Sequence, residues 1–215
     1  MHFRLAYAEW RSGNHEEAIK ERDQAGNLAV AHELADVADP QRWSQMLKVM
    51  ISLKMNQFEK GQKTAAELKS MLEKQLNKKL SRMSDLLAGM IELRKNNLSQ
   101  AIEYLRKAVS LMPFQYNLET EHGLFLDCLA QAYYKSGNLD KARQEYETLT
   151  SLTGGRAAWG DLYAKSFYML GKIAEKKGEK AKAVEHDSKF LDPWKDADPG
   201  LTELEDARRR LNALR

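Results

Sequence analysis

One feature of the sequence recurs at nearly constant spacing and restricts the fold more than any other. A glycine or an asparagine separates two amphipathic stretches at five places, at intervals of 43, 40, 41 and 41 residues. These turn residues are Gly13, Asn56, Asn96, Gly137 and Gly178. Both residue types tolerate the left-handed backbone conformation that often ends a helix. The pattern therefore predicts five tight turns, each of which joins two helices.

Small residues recur in register with these turns. The residue seven positions before each turn is small or of modest size, at Ala6, Val49, Gly89, Ala130 and Gly171. The residue five positions after each turn is alanine or glycine, at Ala18, Gly61, Ala101, Ala142 and Ala183. Small residues let two antiparallel helices approach closely beside the turn that joins them. Each hairpin leaves an apolar face uncovered, so a period of about 41 residues indicates hairpins that stack as a solenoid.

Two helix ends allow more detailed predictions. After Gly13, which closes the first helix, Asn14 is expected to cap the next one, with Glu17 completing a capping box. Between Gly61 and Gly89 no glycine or proline occurs, and two long helices are expected to meet at a tight turn near Asn77.

Composition excludes several classes of protein. The 215 residues contain no run of alternating β-branched residues, so the class is all-α. The net charge is +3 with 30% charged residues of both signs, which does not indicate a nucleic-acid partner. Cys128 is the only cysteine, so no internal disulfide exists. No signal peptide and no apolar run of about 18 residues is present, which predicts a cytoplasmic chain without a membrane partner.

The repeated pattern of turn residues and small residues resembles the tetratricopeptide repeat. The best matches are GMIELRKNNLSQAIEYLRKAVSLMP (89–113) and LAQAYYKSGNLDKARQEYETL (129–149). The resemblance implies an α-α superhelix, a right-handed solenoid of about five hairpins that forms a single domain over residues 1–215. The period of 40–43 residues departs from the 34 of the family, which implies longer helices or loops. The repeats would span approximately residues 1–30, 42–76, 82–113, 123–152 and 162–191.

The last segment, 191–215, is a different unit. A C-terminal capping helix is expected over residues 198–214, with an apolar stripe at Leu201, Leu204, Ala207, Leu211 and Leu214. The opposite face carries charges that are expected in solvent, at Asp206, Arg208, Arg209 and Arg210. The phrase WKDADPGL also resembles the C-terminal ends of long bacterial proteins that carry such repeats behind a kinase, cyclase or DNA-binding domain.

No arrangement of residues indicates catalysis. The five histidines are scattered, no Cys/His cluster has zinc spacing, and no glycine-rich loop has the pattern of a phosphate site. Cys128 is expected to be a small buried apolar residue. We therefore predict a chain that is not an enzyme and uses neither a cofactor nor a metal.

The resemblance implies a binding surface, because the first helices of such repeats line a concave groove. Its offsets from the turn select ten candidate peptide-binding residues: Trp43, Met46, Met50, Met90, Arg94, Gln131, Tyr134, Lys135, Tyr168 and Lys172. The same offsets add Leu53, Met83, Leu86, Leu93, Leu124, Asp127, Lys165 and Glu175. The family's carboxylate clamp for chaperone tails is absent, since its positions hold Phe3, Tyr7, Met46, Met50, Leu86 and Met90.

The resulting prediction is a non-catalytic interaction module that binds a peptide or protein segment in its groove. A flexible thioether surface suits an apolar or amphipathic peptide. A methionine stripe at helical spacing is, however, more often core, and the sequence leaves both interpretations open. The alternative function is a regulatory segment, or a self-association segment that forms a homo-oligomer, at the C-terminus of a larger bacterial signalling protein.

Overall fold

A computed structural model describes residues 13–31, 38–112, 122–152, 160–194 and 201–214. These ranges contain ten α-helices and no strand, which confirms the all-α class. The helices are α1 (His15–Ala31), α2 (Ala38–Lys54), α3 (Phe58–Glu73), α4 (Ser81–Arg94), α5 (Leu98–Ser110), α6 (His122–Lys135), α7 (Leu139–Ser151), α8 (Gly160–Lys176), α9 (Lys180–Leu191) and α10 (Thr202–Leu214). Short 3-10 turns lie at Lys78–Leu80 and Asp192–Trp194.

The chain divides into two compact units, Met1–Asn96 and Asn97–Arg215. In the first unit α2 packs against α1, α3 and α4, and α3 also packs against α4. In the second unit α6 pairs with α7 and α8 pairs with α9, while α5 packs on α6 and α10 packs on α8 and α9. The repeat predicted over 82–113 extends across the division, so one array of five repeats stays a prediction.

All five predicted turn residues have positive φ. The values are 92° at Gly13, 58° at Asn56, 66° at Asn96, 82° at Gly137 and 72° at Gly178. Left-handed backbone is uncommon for residues with a Cβ, and asparagine is among the few that adopt it readily. The prediction of helix-ending turns is therefore confirmed at Asn56, Asn96, Gly137 and Gly178, while the helix predicted before Gly13 lies outside the described residues.

Backbone hydrogen bonds show how these turns end the preceding helix. The Gln57 N–H donates to the Ser52 carbonyl at 2.8 Å, and the Asn138 N–H donates to the Tyr133 carbonyl at 2.9 Å. Both bonds span six residues around a left-handed residue, which is the Schellman pattern that satisfies carbonyls at a helix end. Gly137 and Asn56 thus have the same local structural role.

The small residues beside the turns are buried. Those described before the turns are Val49, Gly89, Ala130 and Gly171, and those after them are Ala18, Gly61, Ala101, Ala142 and Ala183. The alanines and Val49 have no exposed surface. Ala6 lies outside the described residues. Their burial supports the argument that two helix backbones approach closely on either side of the turns at Asn56, Asn96, Gly137 and Gly178.

Side chains cap two of the helical segments near predicted turns. Asn138 Oδ1 accepts from the Lys141 N–H at 3.4 Å at the start of α7. Asn77 Oδ1 accepts from the Lys79 N–H at 3.1 Å, just before the short 3-10 turn that leads into α4. The turn near Asn77 is therefore confirmed. Glu17 lies in the first turn of α1, and the capping box at Asn14 stays a prediction.

The segment predicted as the capping helix differs from its amphipathic pattern at Leu201, Asp206 and Arg210, and Asp206 is half-buried where exposure was expected. Leu204, Ala207 and Leu211 are buried as expected, but Leu201 is 42% exposed. Arg210 was expected in solvent, and this is wrong because only 6% of the residue is exposed. The physical reason is an acidic partner on α9, whose geometry belongs to the site described below.

Candidate functional site

The ten predicted binding residues lie on the helices that precede the turns. Trp43, Met46 and Met50 are on α2, and Met90 and Arg94 are on α4, all in the first unit. Gln131, Tyr134 and Lys135 on α6 and Tyr168 and Lys172 on α8 belong to the second unit. The structure therefore places the candidates in two groups, each within one unit.

The methionines of the first group differ in exposure. Met46 has no exposed surface and Met50 is 7% exposed, so both pack in the core of the first unit. Trp43 and Met90 are half-buried and present part of their side chains at the surface. Within this group Trp43 and Met90 are therefore partly accessible, whereas Met46 and Met50 belong to the core.

Arg94 is exposed but is tied to the preceding hairpin. Its Nη2 donates to the Leu53 carbonyl at 3.0 Å and to Asn56 Oδ1 at 3.3 Å. The guanidinium therefore connects the end of α4 to the end of α2. A cation beside the free carbonyls of a helix C-terminus is also favoured by the helix dipole.

The contact of Arg94 belongs to a periodic pattern that the sequence analysis missed. A basic residue stands two positions before the turn at Lys54, Arg94, Lys135 and Lys176. Lys176 also reaches back toward the preceding hairpin, with its Nζ 4.4 Å from the centroid of the Tyr134 ring. The constant offset of these basic residues from the turn was the signal in the sequence that could have revealed their contacts. Arg94 and Lys176 thus each contact the hairpin before their own.

A buried carboxylate organises the face of α6. Asp127 is buried, and Gln131 Nε2 donates to its Oδ2 at 2.6 Å. Lys165 Nζ on α8 lies 3.7 Å from the same oxygen. The lysine offsets the buried negative charge, and the amide of Gln131 is held in one orientation. Gln131, Tyr134 and Lys135 then present half-buried or exposed side chains along this helix.

Two buried side chains beside this face have raised pKa values. Burial raises the pKa of the Cys128 thiol far above its usual range, so the reactive thiolate is strongly disfavoured. Burial also raises the pKa of Tyr146 well above its ordinary value. The Tyr146 hydroxyl is buried and has no hydrogen-bond partner in the part of the chain that the structure describes. Neither group provides an activated nucleophile.

The candidates on α8 contact α10. The Tyr168 hydroxyl donates to Asp206 Oδ2 at 2.9 Å, and Lys172 Nζ donates to the Tyr168 hydroxyl at 3.3 Å. Burial and the hydrogen bond to Asp206 both raise the pKa of Tyr168, so the phenol stays protonated. Tyr168 is thus largely buried by the capping helix, while Lys172 is half-buried at its edge.

Beside Tyr168 lies a fully buried ion pair between α9 and α10. Asp187 has no exposed surface, and Arg210 Nε donates to its Oδ2 at 3.2 Å while Nη2 donates to Oδ1. Arg210 Nη1 donates to Asp206 Oδ2 at 2.7 Å, and the guanidinium carbon lies 4.8 Å from the centroid of the Tyr168 ring. Burial raises the pKa of Asp187, and the guanidinium of Arg210 opposes that shift.

Gly171 provides the space that this ion pair needs. A Cβ at position 171 would overlap Asp187 Oδ1 and would lie 2.9 Å from Asp187 Cγ. The small residue seven positions before the turn thus has a second role here, because it accommodates a carboxylate as well as a neighbouring backbone.

Neither a metal centre nor a membrane span was found among the residues that the structure describes. No group of three or more His, Cys, Asp or Glu side chains there could hold a metal ion. None of the helices is both long and apolar enough to cross a bilayer.

The hairpins and their turns match a known protein family. A family model described as tetratricopeptide repeat matches residues 129–202, and a second model with the same description matches residues 86–114. Residues 86–114 and 129–202 are tetratricopeptide repeats. No curated protein sequence matches the chain significantly.

Solved structures agree with the fold of a tetratricopeptide repeat protein. A chain of the APC/C hetero-tetramer Cut9–Hcn1 matches with a TM-score of 0.65 and 13% identity. The match covers 99% of this chain and 35% of that one, so this chain spans about a third of its length. TTC0263, a thermophilic TPR protein of Thermus thermophilus, matches with a TM-score of 0.57 and 15% identity, over 99% and 96% of the two chains. At these identities the likeness concerns the fold alone.

The presence of these repeats indicates the general class of function. Tetratricopeptide repeats form protein–protein interaction scaffolds, and the family is generally non-catalytic.

Proposed function

We propose that the chain is a non-catalytic interaction module that binds a peptide or protein segment on the first helices of its hairpins. The observation that carries the proposal is the face of α6, where three neighbouring polar and aromatic side chains remain accessible and two of them are held in place. Gln131 is fixed by the buried Asp127, and Tyr134 lies under the Lys176 ammonium. Lys135 is exposed beside them.

The chemistry of this face suits an amphipathic segment. A tyrosine offers a large rigid surface with a polar end, which favours interface contacts at a low cost in side-chain entropy. The amide of Gln131 and the ammonium of Lys135 can bind backbone carbonyls or a carboxylate of the partner. The first unit would contribute a separate apolar contact through Trp43 and Met90, both half-buried.

The test begins with selection of binding peptides from a random display library against the full chain. Isothermal titration calorimetry then compares one selected peptide with the chain and its Tyr134→Ala and Lys135→Glu variants. We expect each variant to weaken binding by about tenfold or more, the range found when an interface tyrosine or a paired charge is lost. The matched control is Lys180→Glu, an exposed lysine at the start of the second helix α9.

Two results would contradict the proposal. The selected peptide could bind both α6 variants as tightly as the original chain, or Lys180→Glu could weaken it equally. In the first unit, Met90→Glu introduces a charge at a half-buried position and tests the proposed apolar contact in the same way. A regulatory or self-association role within a larger signalling protein stays a prediction.

A further inference from the structure

In the second unit, the second helix of each hairpin has a buried residue at the same position, and the type of residue at this position changes at α9. Nine residues after each turn stand Leu105 on α5, Tyr146 on α7 and Asp187 on α9, and none of the three has exposed surface. The first two are apolar or aromatic, as a packing position between helices requires. A carboxylate at the same place is strongly unfavourable unless a cation and hydrogen bonds compensate it.

The surroundings of Asp187 form a site with the shape and charge of a guanidinium partner. We call Tyr168, Gly171, Glu175 and Asp187 the arginine socket. Asp187 accepts two hydrogen bonds from Arg210, through Nε and Nη2, and Glu175 Oε2 lies 3.8 Å from Arg210 Nε. The Tyr168 ring lies against the guanidinium, and the absent side chain of Gly171 leaves room for the carboxylate.

We propose that the arginine socket is a docking site selective for a helix that presents an arginine, and that α10 of the same chain occupies it here. A guanidinium matches the site better than an ammonium does, because it donates two parallel bonds to one carboxylate and its flat face stacks on an aromatic ring. A lysine in the same place would supply a charge without this fork. The socket therefore distinguishes arginine from other residues by geometry as well as charge.

The position of the arginine along the helix is equally important. Arg208 and Arg209 precede Arg210 directly and are exposed, and the nearest carboxylate of Arg209 is Asp206 on its own helix. Successive helical residues point about 100° apart, so only one of three adjacent arginines reaches Asp187. The remaining buried contacts of α10 come from Leu204, Ala207 and Leu211, a small apolar surface. We infer that Arg210 determines which helix docks and in which register.

The test replaces the occupant in the full-length chain. The variant Arg210→Ala is titrated with a fluorescent peptide of residues 198–215, and fluorescence anisotropy measures binding. We expect the native peptide to bind at least about 100-fold more tightly than the same peptide with Arg210→Ala, the factor that corresponds to loss of one partner of a buried ion pair. An Arg210→Lys peptide should lie between the two. Adding Asp187→Asn to the receiving chain should remove the preference for arginine.

Hydrogen exchange provides a second measurement on the chain without peptide. Arg210→Ala should accelerate exchange of the α10 amides by about 100-fold, since the buried pair no longer holds the helix. The matched control is Arg208→Ala, which removes an exposed arginine of the same helix and should leave the exchange unchanged.

In the peptide titration, the original chain should bind little peptide, because its own α10 competes at an effective concentration of about millimolar.

Each outcome decides the proposal. Equal binding of the native and Arg210→Ala peptides, or unchanged protection of α10 in the Arg210→Ala chain, would overturn it. If circular dichroism shows that Arg210→Ala unfolds the whole chain, the Arg210→Lys chain is titrated with the same peptides instead. The expected order of peptide affinities is the same.

Discussion

The substitution Gly171→Ala tests the structural account of the buried ion pair most directly. The added Cβ would overlap Asp187 Oδ1 and lie 2.9 Å from Asp187 Cγ. Because Asp187 has no exposed surface, its side chain cannot move aside into solvent. Overpacking costs about 1–3 kcal/mol, and disrupting a buried ion pair costs about 3–5 kcal/mol. Alanine would gain about 1 kcal/mol over glycine in helix propensity. We expect the free energy of unfolding to fall by about 2–4 kcal/mol, the cost of disrupting the ion pair less the gain in helix propensity.

A second glycine offers a matched control. Gly61 is also a buried glycine inside a helix, but a Cβ there would lie 3.5 Å from Ser52 Cβ and 3.7 Å from Leu53 Cδ2, which are ordinary contacts. Gly61→Ala should therefore stabilise the chain by about 0.5–1 kcal/mol through helix propensity alone.

The assay is urea denaturation followed by circular dichroism, with separate fits if the two units unfold separately. Gly171→Ala should also be measured in a chain that carries Asp187→Ala and Arg210→Met, which removes the carboxylate and its partner together. There its cost should vanish or change sign. The reasoning is refuted if Gly171→Ala is no more destabilising than Gly61→Ala, or if its cost is unchanged in that background.

Buried groups support three further predictions. Tyr146→Phe should leave the free energy of unfolding unchanged or raise it by about 1 kcal/mol, because the buried hydroxyl has no partner among the described residues; a loss above about 1 kcal/mol in urea denaturation would contradict this. Cys128 should react with a disulfide reagent far more slowly in the native chain than in urea, since burial disfavours the thiolate; equal rates would exclude a buried thiol. Burial lowers the pKa of His186 below its ordinary value of 6.5, so below about pH 6.5 the unfolded chain binds more protons than the folded one and stability falls. His186→Phe, which keeps a ring against Phe167, should lose less stability between about pH 7.5 and pH 5.5 than the original chain, and equal losses would argue against the shift.

The turns and the small residues could be predicted because each depends on a constraint that one residue reveals. Asn56 and Gly137 are recognisable from backbone preference, and Ala101 or Ala142 from size and spacing. The burial of Arg210 was not predictable from α10, because a buried charge depends on a partner 23 residues away.

The binding face was less predictable for a related reason. Helical spacing places Met46 and Met90 on the helices before their turns, but only packing with neighbouring helices decides that Met46 is fully buried while Met90 remains half-buried. The signals that could have helped were chemical exceptions within the second unit, such as Asp187 at a position that holds Leu105 and Tyr146 in the two preceding repeats.

That exception also bears on how such an array could lengthen. Duplicating a hairpin upstream of α8 would place apolar second-helix positions against one another, which the repeat already tolerates. A hairpin inserted between α9 and α10 would instead cover Asp187 with an apolar helix and separate it from Arg210, leaving a buried charge without its partner. A single aspartate therefore makes lengthening of the second unit asymmetric: we expect a hairpin added before α8 to cost little stability and one added after α9 to destabilise the chain.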